Sequence, residues 1–383
     1  MLMKAGAMID NKKLSDVQRE NFQVQLMKTQ MSLEDIIHNI ALNSEDPSVI
    51  LMDRGLMDTA GYSGWKIWDR ILERTGWNNI ELRDNRYDAV IHMITAADGC
   101  PEFYDNENVA RYESVEEAVE RDKALRSAYL GHNKLFFIGN QHDNGFEGKI
   151  QSTIDAVFSV IGFPTSIKRF RKFLVETRGI DFEGNESDVE IWGQTPRYED
   201  YHGKVFKSSE TEPFNSTQDN QQRNAEEPAQ FNFVTNIIRH TYLKAPEDSI
   251  IFVRKRSGVK INNEPFSRRS HHFDYERRYM IDNQKIEKKR IMSGREYEDL
   301  LLNEFDEKRR QLKILRTSFM FENQYFQLET FTNIIGAPTF LLVESEDEHV
   351  SLPPYLKVLK DVSNNAQYST HNMSRHDFEM SWD

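Results

Sequence analysis

A single cysteine, Cys100, stands among 383 residues. That excludes an internal disulfide framework and any zinc site built on several thiolates. Proline (11) and glycine (18) are too sparse for collagen-like or low-complexity architecture. No stretch approaches the ~20 consecutive apolar residues that span a bilayer. The opening Met1–Met8 is too short, and too soon charged at Lys4, for a secretory signal. The expectation from these absences is a soluble, cytoplasmic protein. Catalytic signatures are missing as well: there is no G-x-S-x-G elbow, no H-E-x-x-H and no family signature around Cys100. His271 and His272 are adjacent, too close to serve as two ligands on one helical face. A phosphate loop of the form G-x-x-x-x-G-K-[ST] occurs nowhere, and the only glycine before Asp53 is Gly6. Without that loop the β- and γ-phosphates of a nucleotide lose their main backbone ligands.

What is present describes a folded chain. Apolar residues make up 38% and aromatics 11%, enough to exclude general disorder. The length suggests two domains. The formal net charge of -13 argues against a general nucleic-acid coat, so no nucleic-acid partner is expected. Charge is unevenly shared. Residues 250–316 hold 18 Lys+Arg against 11 Asp+Glu, a net of +7, which leaves -20 on the other 316 residues.

The first half reads as α/β. Ser15 and Gln18 have capping-box spacing and open a helix over 15–42. Runs at 48–53, 89–94 and 135–138 are short and apolar, as parallel strands buried on both faces are. Ser114 and Glu117 open another helix. Ile150, Ile154, Val157, Phe158 and Ile161 give a third an apolar face, closed by Gly162. Strands alternating with helices predict a parallel, doubly wound sheet. Composition shifts near Gly184, and residues 207–230 hold almost nothing that could be buried. Beyond them, short β-type runs span 233–242, 249–256, 273–281, 285–292, 312–321, 324–332 and 339–344, with one helix at about 293–311. This pattern predicts an antiparallel barrel or sandwich. The expected division is 1–183, a linker over 184–230, and 231–375.

Several residues could carry chemistry. Asp53 ends an apolar run, where α/β sheets bind ligands or Mg²⁺; it reads equally as a cap of the next turn. Arg54 follows it. Arg111 and Arg121 fall where nucleotide kinases carry a phosphate-binding lid, but arginines there more often belong to a solvated surface. His132 and Asn140 flank the third run. In the second half Arg254 and Arg256 lie two apart and share a strand face. Arg277, Lys289 and Arg316 sit on other expected strands, with Glu329 and Glu344 on later ones. If those faces converge, the cations hold phosphate groups and the acids a metal; otherwise they are ordinary strand-surface charges.

The segments Val49-Ile50-Leu51-Met52-Asp53-Arg54-Gly55-Leu56-Met57-Asp58 and Leu82-Arg83-Asp84-Asn85-Arg86-Tyr87-Asp88 resemble motifs of the TRPL translocation defect protein family. So do Leu130-Gly131-His132, Phe146-Glu147-Gly148-Lys149, Arg254-Lys255-Arg256, Ser293-Gly294-Arg295-Glu296-Tyr297 and Asn323-Gln324-Tyr325-Phe326-Gln327-Leu328-Glu329. The resemblance covers about 14–375. It implies a NadR-like P-loop domain followed by a CYTH-like (triphosphate-tunnel) domain. It further implies binding of GTP and the anionic phospholipid phosphatidic acid, in membrane-protein trafficking with a cargo or effector partner. On this reading Asp53 takes the Walker B place beside Arg54, Arg111 and Arg121, and Arg254 and Arg256 line the lipid site. Arg277, Lys289 and Arg316 extend that site, and Asp53, Glu329 and Glu344 are the metal candidates. Family members carry a strand and P-loop ahead of the run at 49–53. This sequence lacks them, so the expected parallel sheet is incomplete, with GTP and Mg²⁺ weakly held. Gly139 and Arg239 also stand where the family suggests acids. The expected function is therefore non-enzymatic binding with peripheral membrane association; the alternative is a nucleotide kinase-like or CYTH-type triphosphatase enzyme.

Overall fold

The computed structural model describes residues 14–104, 113–163, 169–176, 233–258, 271–281, 284–345 and 350–381. The expected linker at 184–230 lies outside them.

The chain begins with α1 (Asp16–Leu42), closed at its start by a complete capping box. The Ser15 hydroxyl accepts from the Gln18 amide at 3.3 Å, and the Gln18 side chain accepts from the Ser15 amide at 2.9 Å. Two short helices follow, α2 (Asp58–Ser63) and α3 (Trp65–Thr75), bounded by Gly64 and Gly76, both at positive φ. Ile67, Trp68, Ile71 and Leu72 form a buried stripe on α3 at helical spacing. Trp68 donates from Nε1 to Asn79 Oδ1 at 2.9 Å, which satisfies its polar edge inside the core. A π-helical turn, Ile80–Asp84, leads into strand β1 (Val90–Met93). Then come α4 (Val115–Tyr129), β2 (Leu135–Ile138) and α5 (Gly145–Ile161). The predicted caps hold: a capping box at Ser114–Glu117 and a left-handed Gly162, φ 86°. β1 and β2 pair in parallel, Val90 with Leu135 through Met93 with Ile138.

Among the described residues the parallel sheet has two strands and not three. The run at 48–53 lies unpaired, with Val49, Leu51 and Met52 exposed. A strand exists through its ladder, and among the described residues this apolar run has no neighbouring strand to pair with.

Among the described residues the larger sheet is antiparallel and has nine strands. They are β3 (Arg169–Glu176), β4 (Phe233–Leu243), β5 (Ser249–Gly258), β6 (His272–Ile281), β7 (Gln284–Ile291), β8 (Leu312–Phe321), β9 (Gln324–Phe331), β10 (Thr339–Ser345) and β11 (Lys357–Asp361). Their order is β11-β3-β10-β9-β8-β4-β5-β6-β7. The expected boundary at residue 183 falls after β3, a strand the sequence reading passed over, which pairs here with β10 and β11.

The sheet does not close into the expected barrel, because its edge strands β7 and β11 do not pair with each other. Both edges are charged: β7 exposes Lys288, Lys289 and Arg290, and β11 exposes Lys357 and Lys360. Cations on both edges disfavour closure of one onto the other. Helix α6 (Gly294–Glu304) covers Val253 and Leu243 through Tyr297 and stops short of the expected 311, since Phe305 bridges back to Leu243. The C-terminal segment, with α7 (Thr370–Met373), packs Tyr368 and Met373 over Leu174, Ile314 and Phe340 on the opposite face.

Candidate functional site

Three polar groupings stand out, and the first is in the α/β unit. Asp53 is exposed and lies outside any strand. Arg54, at φ 83°, sits 3.4 Å from Asp58 and stands over the ring of Tyr62 at 5.8 Å. Arg121 approaches the same ring at 5.2 Å. It also donates to the carbonyls of Gly61 at 2.8 Å and Tyr62 at 3.3 Å, closing the end of α2. Burial lifts the Asp58 carboxyl above its ordinary range, although Tyr129 donates its hydroxyl to it at 2.7 Å and Arg54 lies beside it. Of the four expected nucleotide contacts, Arg54 and Arg121 thus meet around Tyr62. Asp53, exposed and next in the chain to Arg54, adds its charge beside that guanidinium, and Arg111 lies outside the described residues.

The second grouping lies at the C-terminal ends of β1 and β2, where open α/β sheets present their crevice. Asp122 accepts from the Thr95 amide at 3.1 Å, lies 3.0 Å from His92 Nε2 and pairs with Arg126 at 2.8 Å. Arg126 also reaches Asp98 at 3.1 Å and Asn323 of the β8–β9 turn at 2.6 Å. Lys149 donates to Ile94 O and Asn140 Oδ1, both at 2.6 Å. Asn140 in turn donates to the carbonyls of Thr95 and Asp98. This network joins the strand ends to the sheet's hairpin, with Asp122 Oδ2 and Arg126 Nε held as an ion pair without hydrogen-bond geometry.

The third grouping occupies the face of the nine-stranded sheet that carries Phe252, Arg254 and Arg256. The register sets Arg254 between His240 and Asp274, Glu276 against Lys289, Arg278 against Glu287, and Arg316 against Glu329. Directly opposed side chains lie close enough to pair, and they do. Arg254 reaches Asp274 at 2.6 Å and Glu276 at 3.2 Å; Arg278 donates to Glu276 at 2.6 Å. Lys289 lies 3.1 Å from Glu287, and Arg316 clasps Glu329 with Nε at 2.8 Å. Glu276, fully buried, is held by cations from three strands. His240 is buried in the middle. Burial first, then Arg254, Arg278 and Arg316, press its pKa well down, so the imidazole is neutral. It stacks on Phe252 at 4.3 Å, and its Nε2 has no hydrogen-bond partner.

Two expected members are elsewhere. Arg277 is on the opposite face, over the ring of Tyr279 at 5.2 Å, because its register partners alternate with those of Glu276 and Arg278. Arg256 shares the face of Arg254 but is buried against the α/β unit, where it donates to Asp84 and to the carbonyl of Gly131. Burial would raise the Asp84 carboxyl; the Arg256 and Arg83 guanidiniums outweigh it and hold it far below the ordinary range. Arg256 is therefore an inter-unit contact and not an open ligand contact.

The metal candidates do not converge. Asp53 is exposed in the α/β unit, and Glu329 is bound by Arg316. Glu344 is exposed, four residues along β10 from Phe340, the residue opposite Glu329, or about 13 Å at strand rise. Among the described residues no group of three or more His, Cys, Asp or Glu could hold a metal ion. The acids of the sheet face, Asp274, Glu276 and Glu287, escaped the sequence reading. Their signal was the alternation Asp274-x-Glu276-x-Arg278 on one strand.

A family model described as an AAA domain matches residues 2–143. That match indicates that the first unit is P-loop NTPase-like in character. No curated protein matches the chain.

Proposed function

We propose that this protein is a non-enzymatic binder of phosphate-bearing ligands. The sheet face around His240 takes an anionic phospholipid, phosphatidic acid, and the P-loop-like unit, whose sequence lacks the phosphate loop, holds GTP weakly. By family resemblance, the setting is membrane-protein trafficking with a cargo or effector partner. The observation that carries the reading is the buried, unpartnered Nε2 of neutral His240 on a face shared by Arg254, Arg278 and Arg316. A buried polar atom without a partner is costly unless a ligand or water meets it. Guanidinium forks suit a phosphomonoester, which accepts several charge-assisted hydrogen bonds. Arg278 and Lys289 are the most exposed cations of the face and give the ligand its entry. The AAA-domain match supports the nucleotide half. Among the described residues no helix is long and apolar enough to cross a membrane, so lipid contact on this reading is peripheral.

The test is co-sedimentation of the full chain with phosphatidylcholine vesicles, with and without phosphatidic acid, at physiological salt. Arg278→Gln with Lys289→Gln should weaken binding about tenfold, the equivalent of ~1.4 kcal/mol. Undiminished binding by the double variant would remove the sheet face from the lipid site.

A further inference from the structure

The face of the nine-stranded sheet that α6 covers, opposite the one carrying His240 and Arg254, holds three cations in line. The register sets Arg239 of β4 directly against Lys255 of β5 on one side and against Lys313 of β8 on the other. Neighbouring strands lie about 4.8 Å apart, so the row is ~10 Å long. Like charges directly opposed across strands are destabilising. On this face the positions two along each strand are Ile237, Thr241, Val253, Ser257, Gln311 and Leu315, none of them acidic. Arg239 and Lys313 are exposed, and among the described residues neither side chain has an ion pair or a hydrogen bond. Lys255 stands over the ring of Phe273 at 5.6 Å.

A second observation lies under α6. Tyr297 is 1% exposed. Its Oη is buried beside Thr241 and Arg239, with no partner in hydrogen-bond geometry among the described residues. The Thr241 hydroxyl is engaged elsewhere, accepting from Gln311 Nε2 at 2.7 Å. A buried hydroxyl left unmet costs its desolvation, and a Tyr hydroxyl can donate. Opposed cations and an unmet buried donor thus occur at one place, and both are relieved by an anion.

We propose that this row is a second phosphate site, separate from the His240 face, which takes a compact and soluble group such as a pyrophosphate or a phosphomonoester. The Arg239 guanidinium gives it forked, charge-assisted hydrogen bonds. Lys255 and Lys313 flank it as point charges, and the Tyr297 hydroxyl donates from beneath. A broad anionic surface is disfavoured here: α6 exposes Glu298, Asp299 and Glu304 on the same face, and the chain carries a net charge of -13. A membrane or a nucleic acid would meet those acids, whereas a compact group sits among the cations.

Isothermal titration of the full chain with pyrophosphate at physiological salt tests the proposal. It is run in the Arg278→Gln, Lys289→Gln background, which takes the His240 face out of the measurement, so the two sites stand or fall separately. Arg239→Gln with Lys313→Gln should weaken binding about tenfold. By removing repulsion, the same change should leave the ligand-free melting temperature equal to or above that of its parent. Tyr297→Phe should also weaken binding without lowering the melting temperature, because no hydrogen bond of the free protein is lost. Arg290→Gln, on the same face but already paired with Glu296 at 2.5 Å, should bind as its parent does. Pyrophosphate that shows no saturable binding overturns the proposal, as does a double variant that binds undiminished or melts below its parent. So does a double variant that loses phosphatidic-acid vesicles while its pyrophosphate binding is unchanged, which would give the row to a membrane.

Discussion

Arg256, on strand β5, donates its guanidinium to the carboxylate of Asp84 across the boundary between the α/β unit and the nine-stranded sheet. Arg83 shares that carboxylate at 2.9 Å and also donates to Leu130 O, while Arg256 reaches Gly131 O. His272 Nδ1 stands 2.8 Å from Asn85 Oδ1. The two units are thus joined through buried charge, and the cation nearest the sheet site in sequence serves that joint.

Arg256→Ala should cost about 3–5 kcal/mol, because it leaves Asp84 buried with Arg83 as its remaining cation. Thermal denaturation of Arg256→Ala beside Asp84→Asn checks this. The double variant Arg256→Met, Asp84→Leu should lie closer to wild type than either single change, since a buried pair replaced whole leaves no orphan charge. Losses that simply add would show that the two side chains act independently.

The buried imidazoles predict acid sensitivity. Burial, with Arg256 beside it, brings His272 down to about 4, and burial likewise lowers His132 and His240. These groups are neutral in the fold and take up protons in the unfolded chain as pH falls below about 6.5. Their stability is full above that value and lost as pH drops toward 4, about 3 kcal/mol in the limit for His272. Asp84 follows lower down: its depressed pKa gives stability that is complete above about 4 and lost as pH falls further. Melting curves between pH 7 and 5 should therefore slope downward, with the slope reduced in His272→Asn.

Gly131 occupies left-handed backbone at φ 86°, and a Cβ there would meet Val234 Cγ1 at 2.8 Å and Asn236 Nδ2 at 3.2 Å. Gly131→Ala should destabilise by about 1–3 kcal/mol through strain and crowding at the same boundary. Gly139→Ala meets nothing within 4 Å and should be close to neutral. Chemical denaturation of the pair separates the two, and equal stability would remove Gly131 from the joint.

Nucleotide affinity should be low. With no G-x-x-x-x-G-K-[ST] in the chain, a fluorescent GTP analogue should bind weaker than about 100 µM, or ~5.5 kcal/mol. A micromolar constant would mean that Arg54 and Arg121 around Tyr62 suffice without a phosphate loop.

Much of the fold was legible locally. Capping boxes at Ser15 and Ser114 and the left-handed Gly162 set helix ends, because those groups satisfy backbone donors and acceptors within one turn. Seven strands of the large sheet followed from short β-type runs. α3 was readable and overlooked, since Ile67, Trp68, Ile71 and Leu72 have helical spacing between two glycines. β3 was missed because its partners lie beyond residue 338, too far along the chain for any local signal.

The sequence by itself determined the helix caps, the β-type runs of seven strands, the concentration of positive charge in residues 250–316 and the lack of a phosphate loop. Tertiary structure decided which charges remain available. Arg254 and Arg256 are identical side chains two residues apart on one strand face, yet one meets Asp274 and Glu276 and the other meets Asp84, 172 positions away. A side chain's type and facing are local properties. Its ion-pair partner is set by register between strands and by the docking of one unit on another, and at a few ångströms in a buried setting the partner fixes what the charge can still bind.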